Sequence, residues 1–364
     1  MSTATSLALP TLAVDPPPAQ PRRGSKGRLV RAIAIRSAGA VFVIWGVVTV
    51  TFFLSRIVSP SPTTLLVPAD ATPEIRAAIE HDLGLDQSLW DQYLRFLQSL
   101  LKGDLGTSFM TGRPVADDLA SRLPATLELG TSALVIGIIV GILLGVVAAV
   151  HRDRFLDHSI RALTVAALAM PQFWLGLVLL SLFFVSLGIL PGPIGRLPFG
   201  VAPPPALTGW YVLDAAFSGQ WSTAGVAITH LVLPVVTLMF GVFSPITRVT
   251  RTAMVGALES QYVRNARALG FPNSVVHFRY ALRNAVLPVI TMIANAVAFA
   301  FAGAVLVESV FGWPGVGQYA LNAIQQSDFP ALQGFVLYSA ILYVLIYTAV
   351  DVAYRLADPR IRTS

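Results

Sequence analysis

Six mostly apolar runs, roughly 37–58, 126–150, 160–190, 230–250, 285–309 and 331–355, constrain this chain more than anything else in it. About 20 such residues, rising 1.5 Å each, cross the roughly 30 Å hydrocarbon layer of a bilayer. A soluble core cannot hide six of them. Of 364 residues, 55% are hydrophobic and only 12% charged, where a soluble domain carries roughly 25% charged residues. The chain is therefore read as an all-α integral membrane protein with six transmembrane helices. The third run is over-long, and Pro171-Gln172 is predicted to kink it, which neighbouring helices can tolerate.

The excess of Lys and Arg sets an orientation. Eighteen of these residues fall in 22–36, 151–161, 248–283 and the tail, against six in the intervening segments. That bias predicts both termini in the cytoplasm. Residues 1–36 then form a disordered, basic, Pro-rich cytoplasmic extension, too interrupted by Pro10 and Pro16-Pro17-Pro18 for a cleaved signal peptide. Residues 37–58 form the first span, and 59–125 an outer helical segment. Within it Thr72-Pro73-Glu74 opens a helix stopped at Gly84, and Asp86 caps another that ends near Gly103. Residues 126–355 hold spans two to six, interrupted by a cytoplasmic loop at 251–284, and 356–364 form the tail.

Few chemistries remain open. The absence of cysteine removes disulfides and thiolate sites, and the five histidines are scattered. A phosphate-binding P-loop ends in Gly-Lys-Ser/Thr, but the chain's only lysines, Lys26 and Lys102, end no such motif. Phe217-Ser218-Gly219-Gln220 and His151-Arg152-Asp153 resemble fragments of ATPase and kinase signatures without their context. Apart from Glu308 and Asp351 near span ends, the spans read as nearly free of ionisable groups, which argues against proton-coupled transport.

The stretch QYVRNARALGFPNSVVHFRYALRN (261–284) is the loop that demands explanation. On a helical wheel Tyr262, Ala266 and Leu269 fall within about 60° of each other, opposite Arg264 and Arg267. Gly270 and Pro272 stop that helix, and Asn273 can cap a second one grouping Phe278, Leu282 and Ala285. A helix this short is marginal alone. It could lie on anionic headgroups, touch nucleic acid, or dock a cytoplasmic partner.

The third reading is favoured by likeness. Tyr262-Val263, Ala266-Arg267-Ala268, Gly270 and Ala281-Leu282-Arg283-Asn284 resemble the cytoplasmic "EAA" loop of ABC importer permeases, in its dipeptide/oligopeptide/nickel version. Arg264 and Asn265 take the Glu-Ala places, and Tyr280 stands where that version more often has His. GDLGTSFMTGRPV (103–115), RLPATLELG (122–130), ESVFGWPGVGQYALNAI (308–324), DFPALQG (328–334) and ADPRIR (357–362) resemble further family segments, in order.

The resemblance implies a type I importer permease fold and a coupling loop carried by Tyr262 through Ala268, Gly270 and Arg283. It also implies a second homologous permease, two cytoplasmic ATPase domains or subunits, and an extracytoplasmic substrate-binding protein. ATP and Mg would sit on the ATPase partners, with no cofactor, metal or nucleic acid on this chain. Peptides are the expected cargo, with a nickel chelate or another small solute as the alternative; an ATP-independent transporter or channel is the competing class. Within the spans, Gly137, Gly141 and Gly145 form a small-residue face. Ala294, Ala298 and Ala302 form another beside Asn295. Gln172, Asn295 and Ala298 are candidates for the translocation path.

Overall fold

The computed structural model describes residues 25–58, 72–82, 84 and 86–357. The other residues of the N-terminal extension and of the tail lie outside that set. Helix α1 spans Ser25–Val58, α2 Pro73–Asp82, α3 Leu89–Leu101, α4 Val115–Val150 and α5 Phe155–Ala169. Then come α6 (Gln172–Leu179), α7 (Tyr211–Phe217), α8 (Trp221–Leu258), α9 (Gln261–Ala268), α10 (Arg283–Phe311), α11 (Val316–Gln325) and α12 (Phe329–Ala357). Two π-helical segments, Leu180–Ser186 and Val275–Leu282, follow α6 and precede α10. No strand occurs among the described residues. Residues 1–43 form one unit, of which the described part is the start of α1, and residues 44–364 form a second. Because α1 begins at Ser25, residues 25–36 of the stretch expected to be disordered are helical: past Pro21 no proline interrupts them.

Five stretches are long and apolar enough to cross a membrane: Ala38–Ile57, Val115–Val150, Trp221–Leu258, Val275–Phe311 and Phe329–Ala349. The pair Phe155–Ala169 and Gln172–Ser186 makes the sixth, but it turns through 108° at the break. That exceeds a kink. Met170 is extended (ψ 125°) and Pro171 follows it, so the helical ladder stops on the residue before proline, as proline sterics favour.

The bundle is organised by α4 lying along α8, with α10 packed on both. The small face of α4 makes that possible. A Cβ at Gly137 would lie 2.7 Å from Val242 Cγ1, and one at Gly141 2.8 Å from Ile246 Cγ2. At Gly145 it would lie 2.5 Å from Thr250 Cβ. These glycines are packing positions that let two backbones approach. On α10 Ala285, Ala294, Ala296, Ala300 and Ala304 are sealed against neighbours; of the predicted face Ala294-Ala298-Ala302 only Ala294 is. Ala298 and Ala302, one face over, line an apolar cavity of about 230 Å³.

At the start of the second unit, Val48 and Phe52 are buried, and Phe52 stacks on Phe96 of α3 at 5.3 Å. Thr49 Oγ1 and Tyr93 OH lie 2.7 Å apart. The cap of α3 is Ser88, whose Oγ accepts from Asp91 N at 3.2 Å, and the helix ends at Leu101. Asp86, expected to be that cap, instead contacts His81 Nδ1 at 2.7 Å. Upstream, Thr72 Oγ1 accepts from Ile75 N at 3.5 Å as α2 begins at Pro73.

Charge is buried where the sequence suggested almost none. Glu128, inside the predicted second span, is 2% exposed and ion-paired with Arg196, which is 8% exposed. Val212 N also donates to Glu128 Oε1 at 2.9 Å, and Arg196 Nη2 donates to Gly209 O at 2.8 Å. The guanidinium lies 3.4 Å over the Tyr211 ring. Glu308 is fully buried and accepts from Thr126 Oγ1 at 2.6 Å and Gln318 N at 3.0 Å. Asp328 accepts from Ser108 Oγ at 2.6 Å and Met110 N at 3.2 Å. These carboxylates tie the connecting loops to one end of the bundle, opposite α9. Ser218 of the ATPase-like fragment merely bonds Asp214 O after α7 (2.6 Å).

Candidate functional site

The other end of the bundle is built around α9. Its predicted inward face was Tyr262-Ala266-Leu269, but the buried residues are Val263 and Ala266, while Tyr262 is 39% and Leu269 76% exposed. Val263 and Ala266 lie about 60° apart on the wheel, so the buried face is the expected one turned toward Val263 by the surface it meets. That surface is Val146 and Ala149 of α4 with Met254 and Ala257 of α8, joined by Val276, Ala281 and Ala285. Arg264, Asn265, Arg267 and Ala268 remain exposed.

The stop after α9 follows from backbone geometry. Gly270 has φ +77°, a left-handed conformation costly for any residue with a Cβ. Gly270 N donates to Arg267 O at 3.0 Å and Phe271 N to Ala266 O at 3.3 Å, satisfying carbonyls at the helix end. Phe271 and Tyr280 place their rings 5.6 Å apart across the turn. The segment expected to be a second α-helix capped by Asn273 is π-helical over Val275–Leu282, preceded by Ser274 with no side-chain cap bond. The wider turn changes which residues share a face. Val276 and Ala281 are buried in place of Phe278, which is 52% exposed. Arg283 opens α10 and is exposed; Asn284 Nδ2 donates to Tyr280 O at 2.8 Å.

Polar contacts brace this end. Arg264 donates through Nη2 to Glu259 O at 2.9 Å. Arg152, in the His151-Arg152-Asp153 turn after α4, pairs with Glu259 at the end of α8. Arg251 of α8 grips Asp157 of α5 with two bonds of 2.6 Å, and Asp153 N caps the same carboxylate at 2.9 Å. Asp157 is fully buried. Sequence reasoning passed over this pair and over Glu128–Arg196. A carboxylate among apolar neighbours was the available signal, but nothing in the sequence names partners 94 and 68 residues away.

The three candidate path residues do not come together. Gln172 sits at the break in the third span, its amide against Gly241 of α8 and Gly303 of α10. Its Nε2 is buried with no hydrogen-bond partner. Asn295 is exposed on α10, and Ala298 lines the cavity with Thr126, Phe301, Glu308 and Tyr338. Among the described residues no group of His, Cys, Asp and Glu could hold a metal ion.

Comparison with known proteins matches residues 141–363 to the binding-protein-dependent transport system inner membrane component family. Residues 29–130 match the N-terminal part of such membrane components. The chain is 43% identical to the probable D,D-dipeptide transport system permease protein DdpB of Escherichia coli, covering 90% of this chain and 96% of that one. It is 38% identical to the di/tripeptide transport system permease protein DppB of Pseudomonas aeruginosa, covering 91% and 98%. It is 32% identical to the glutathione transport system permease protein GsiC of Escherichia coli, covering 90% and 97%. Matched along most of its length and carrying five to six apolar spans, the chain belongs to the binding-protein-dependent transport system inner membrane component family, the multi-pass permeases of bacterial inner-membrane transport systems.

Proposed function

We propose that this chain is one of two membrane-spanning halves of an ATP-driven importer, passing peptides delivered by an extracytoplasmic binding protein. A second homologous permease completes the path, and two ATPase domains or subunits carry ATP and Mg, so this chain binds no cofactor itself. Both termini and α9 face the cytoplasm. The peptide cargo rests on the relatives, whose names specify dipeptide, tripeptide and glutathione transport.

One observation carries the coupling role. The element α9 is clamped to α4 and α8 by Val263 and Ala266, yet Tyr262, Leu269, Phe271 and Phe278 stay 39–76% exposed around it. An apolar patch held on a rigid mount and rimmed by Arg264, Arg267 and Arg283 suits a protein groove. Movement of the ATPase pair would then reach α4 and α8 as rigid-body displacement.

The test alters only the exposed face. Tyr262→Asp with Leu269→Asp leaves Val263 and Ala266 in place. In mild detergent the variant should keep the second permease but lose the ATPase, and peptide uptake should stop. If the wild-type chain alone carries peptide into vesicles with no ATPase present, the importer reading fails.

A further inference from the structure

Between α5 and α8, at the end of the bundle that carries α9, lies a cleft of about 280 Å³ with no part in the coupling argument. Its lining includes Arg161 and Thr164 from α5, and Thr247, Arg248, Arg251 and Thr252 from α8. Three guanidinium groups thus meet one carboxylate, Asp157, which Arg251 already occupies with both its bonds. Nearby Asp153 is engaged by Arg152 at 3.3 Å. Arg161 and Arg248 are exposed, and neither makes an ion pair or side-chain hydrogen bond among the described residues. Thr247, only 2% exposed, lines the same cleft, and its buried Oγ1 has no partner. A cavity with unspent donors and surplus positive charge is built for an anion.

The surroundings say which anion. Val165 and Leu168 follow Arg161 at i+4 and i+7, on the same face of α5, and are 58% and 45% exposed. Arg161 lies about 9 Å along α5 from its first residue, and Arg251 about 10 Å from the last residue of α8, at 1.5 Å per residue. Arg161 and Arg251 thus sit near the helix ends, with Arg248 about one turn deeper, about 15 Å from the end of α8, and the exposed aliphatic groups of α5 run inward from Arg161 toward the apolar body of the spans. A ligand must match both halves. We infer that this cleft holds the phosphate of an anionic phospholipid, with Arg161 and Arg248 on the phosphate oxygens, Thr247 as an additional donor, and an acyl chain along Val165 and Leu168. Basic pockets between membrane helices recognise headgroups in this way. The site does not depend on which face of the membrane α9 occupies, nor on the cargo.

The test is native mass spectrometry of the full chain in mild detergent, titrated with phosphatidylglycerol, phosphatidylcholine or inorganic phosphate. Wild type should retain one phosphatidylglycerol in preference to phosphatidylcholine. The Arg161→Gln, Arg248→Gln pair should weaken retention roughly 30-fold, equivalent to about 2 kcal/mol for two arginines. The Arg161→Lys, Arg248→Lys pair should keep most of it, and Arg154→Gln, outside the cleft, should change nothing. Where the Gln pair fails to fold, Thr247→Val and Arg248→Gln are read singly, and each should lower retention several-fold. Equal retention in wild type and variants overturns the inference. So does equal binding of phosphatidylcholine, or displacement by inorganic phosphate alone, which would mark a free-anion site. A bound protein in place of lipid, lost on the same substitutions, would overturn it too.

Discussion

The two ends of the bundle are held together by opposite means. Away from α9, loops are fastened by buried charge: Glu128 with Arg196, Glu308 with Thr126 and Gln318, Asp328 with Ser108. At the α9 end the fastening is mostly small apolar side chains, Val146, Ala149, Ala257, Val263 and Ala266, with an exposed pair, Arg152–Glu259, over them. A buried ionic network tolerates one geometry, because any displaced partner leaves an unsatisfied charge in low dielectric. An apolar clip is less particular, since contact between aliphatic groups has no direction. The first end suits a fixed scaffold; the second suits the coupling role proposed above for α9. Asp157–Arg251 is the exception, a near-buried pair at the α9 end that pins α5 to α8.

The contrast can be broken most forcefully at Glu128. Glu128→Ala leaves Arg196 buried without its counter-ion and should cost about 3–5 kcal/mol, read as a large fall in the thermal midpoint in detergent. Glu128→Met with Arg196→Met should recover most of that loss, which a purely steric role for Glu128 would not allow. At the other end Val263→Ala should cost only about 2 kcal/mol of stability, while transport falls further than stability because α9 loses its seat. Gly270→Ala forces a Cβ into φ +77° and should cost about 1–2 kcal/mol; the measurement is the same midpoint together with ATPase retention. Arg152→Gln, at a pair whose side chains are 47% and 64% exposed, should cost under about 1 kcal/mol, and less in high salt. If Arg152→Gln proves as damaging as Glu128→Ala, the division between the two ends is wrong.

Most of the plan was legible without coordinates. Apolar runs of about 20 residues identify spans because a bilayer offers the backbone no alternative partner. The left-handed stop at Gly270 and the close-packing face at Gly137, Gly141 and Gly145 follow from side-chain size alone. The ordered motifs around the spans are by themselves enough to point to the family. Short elements were harder: the cap of α3 moved from Asp86 to Ser88, because several polar residues precede the helix and only one meets its free amides.

What is local is written in residue order: where the chain is apolar enough to span, where a helix must end, which faces can come close. The rest depends on packing between segments distant in the chain. The face of α9 that is buried depends on α4 and α8, which turn the expected one toward Val263. The 108° turn at Pro171 depends on what packs on either side of an interrupted ladder. The π-helical register of Val275–Leu282 moves Phe278 outward by widening the turn. The pairing of Glu128 with Arg196, and of Asp157 with Arg251, is a property of distance in space, which a linear pattern does not encode.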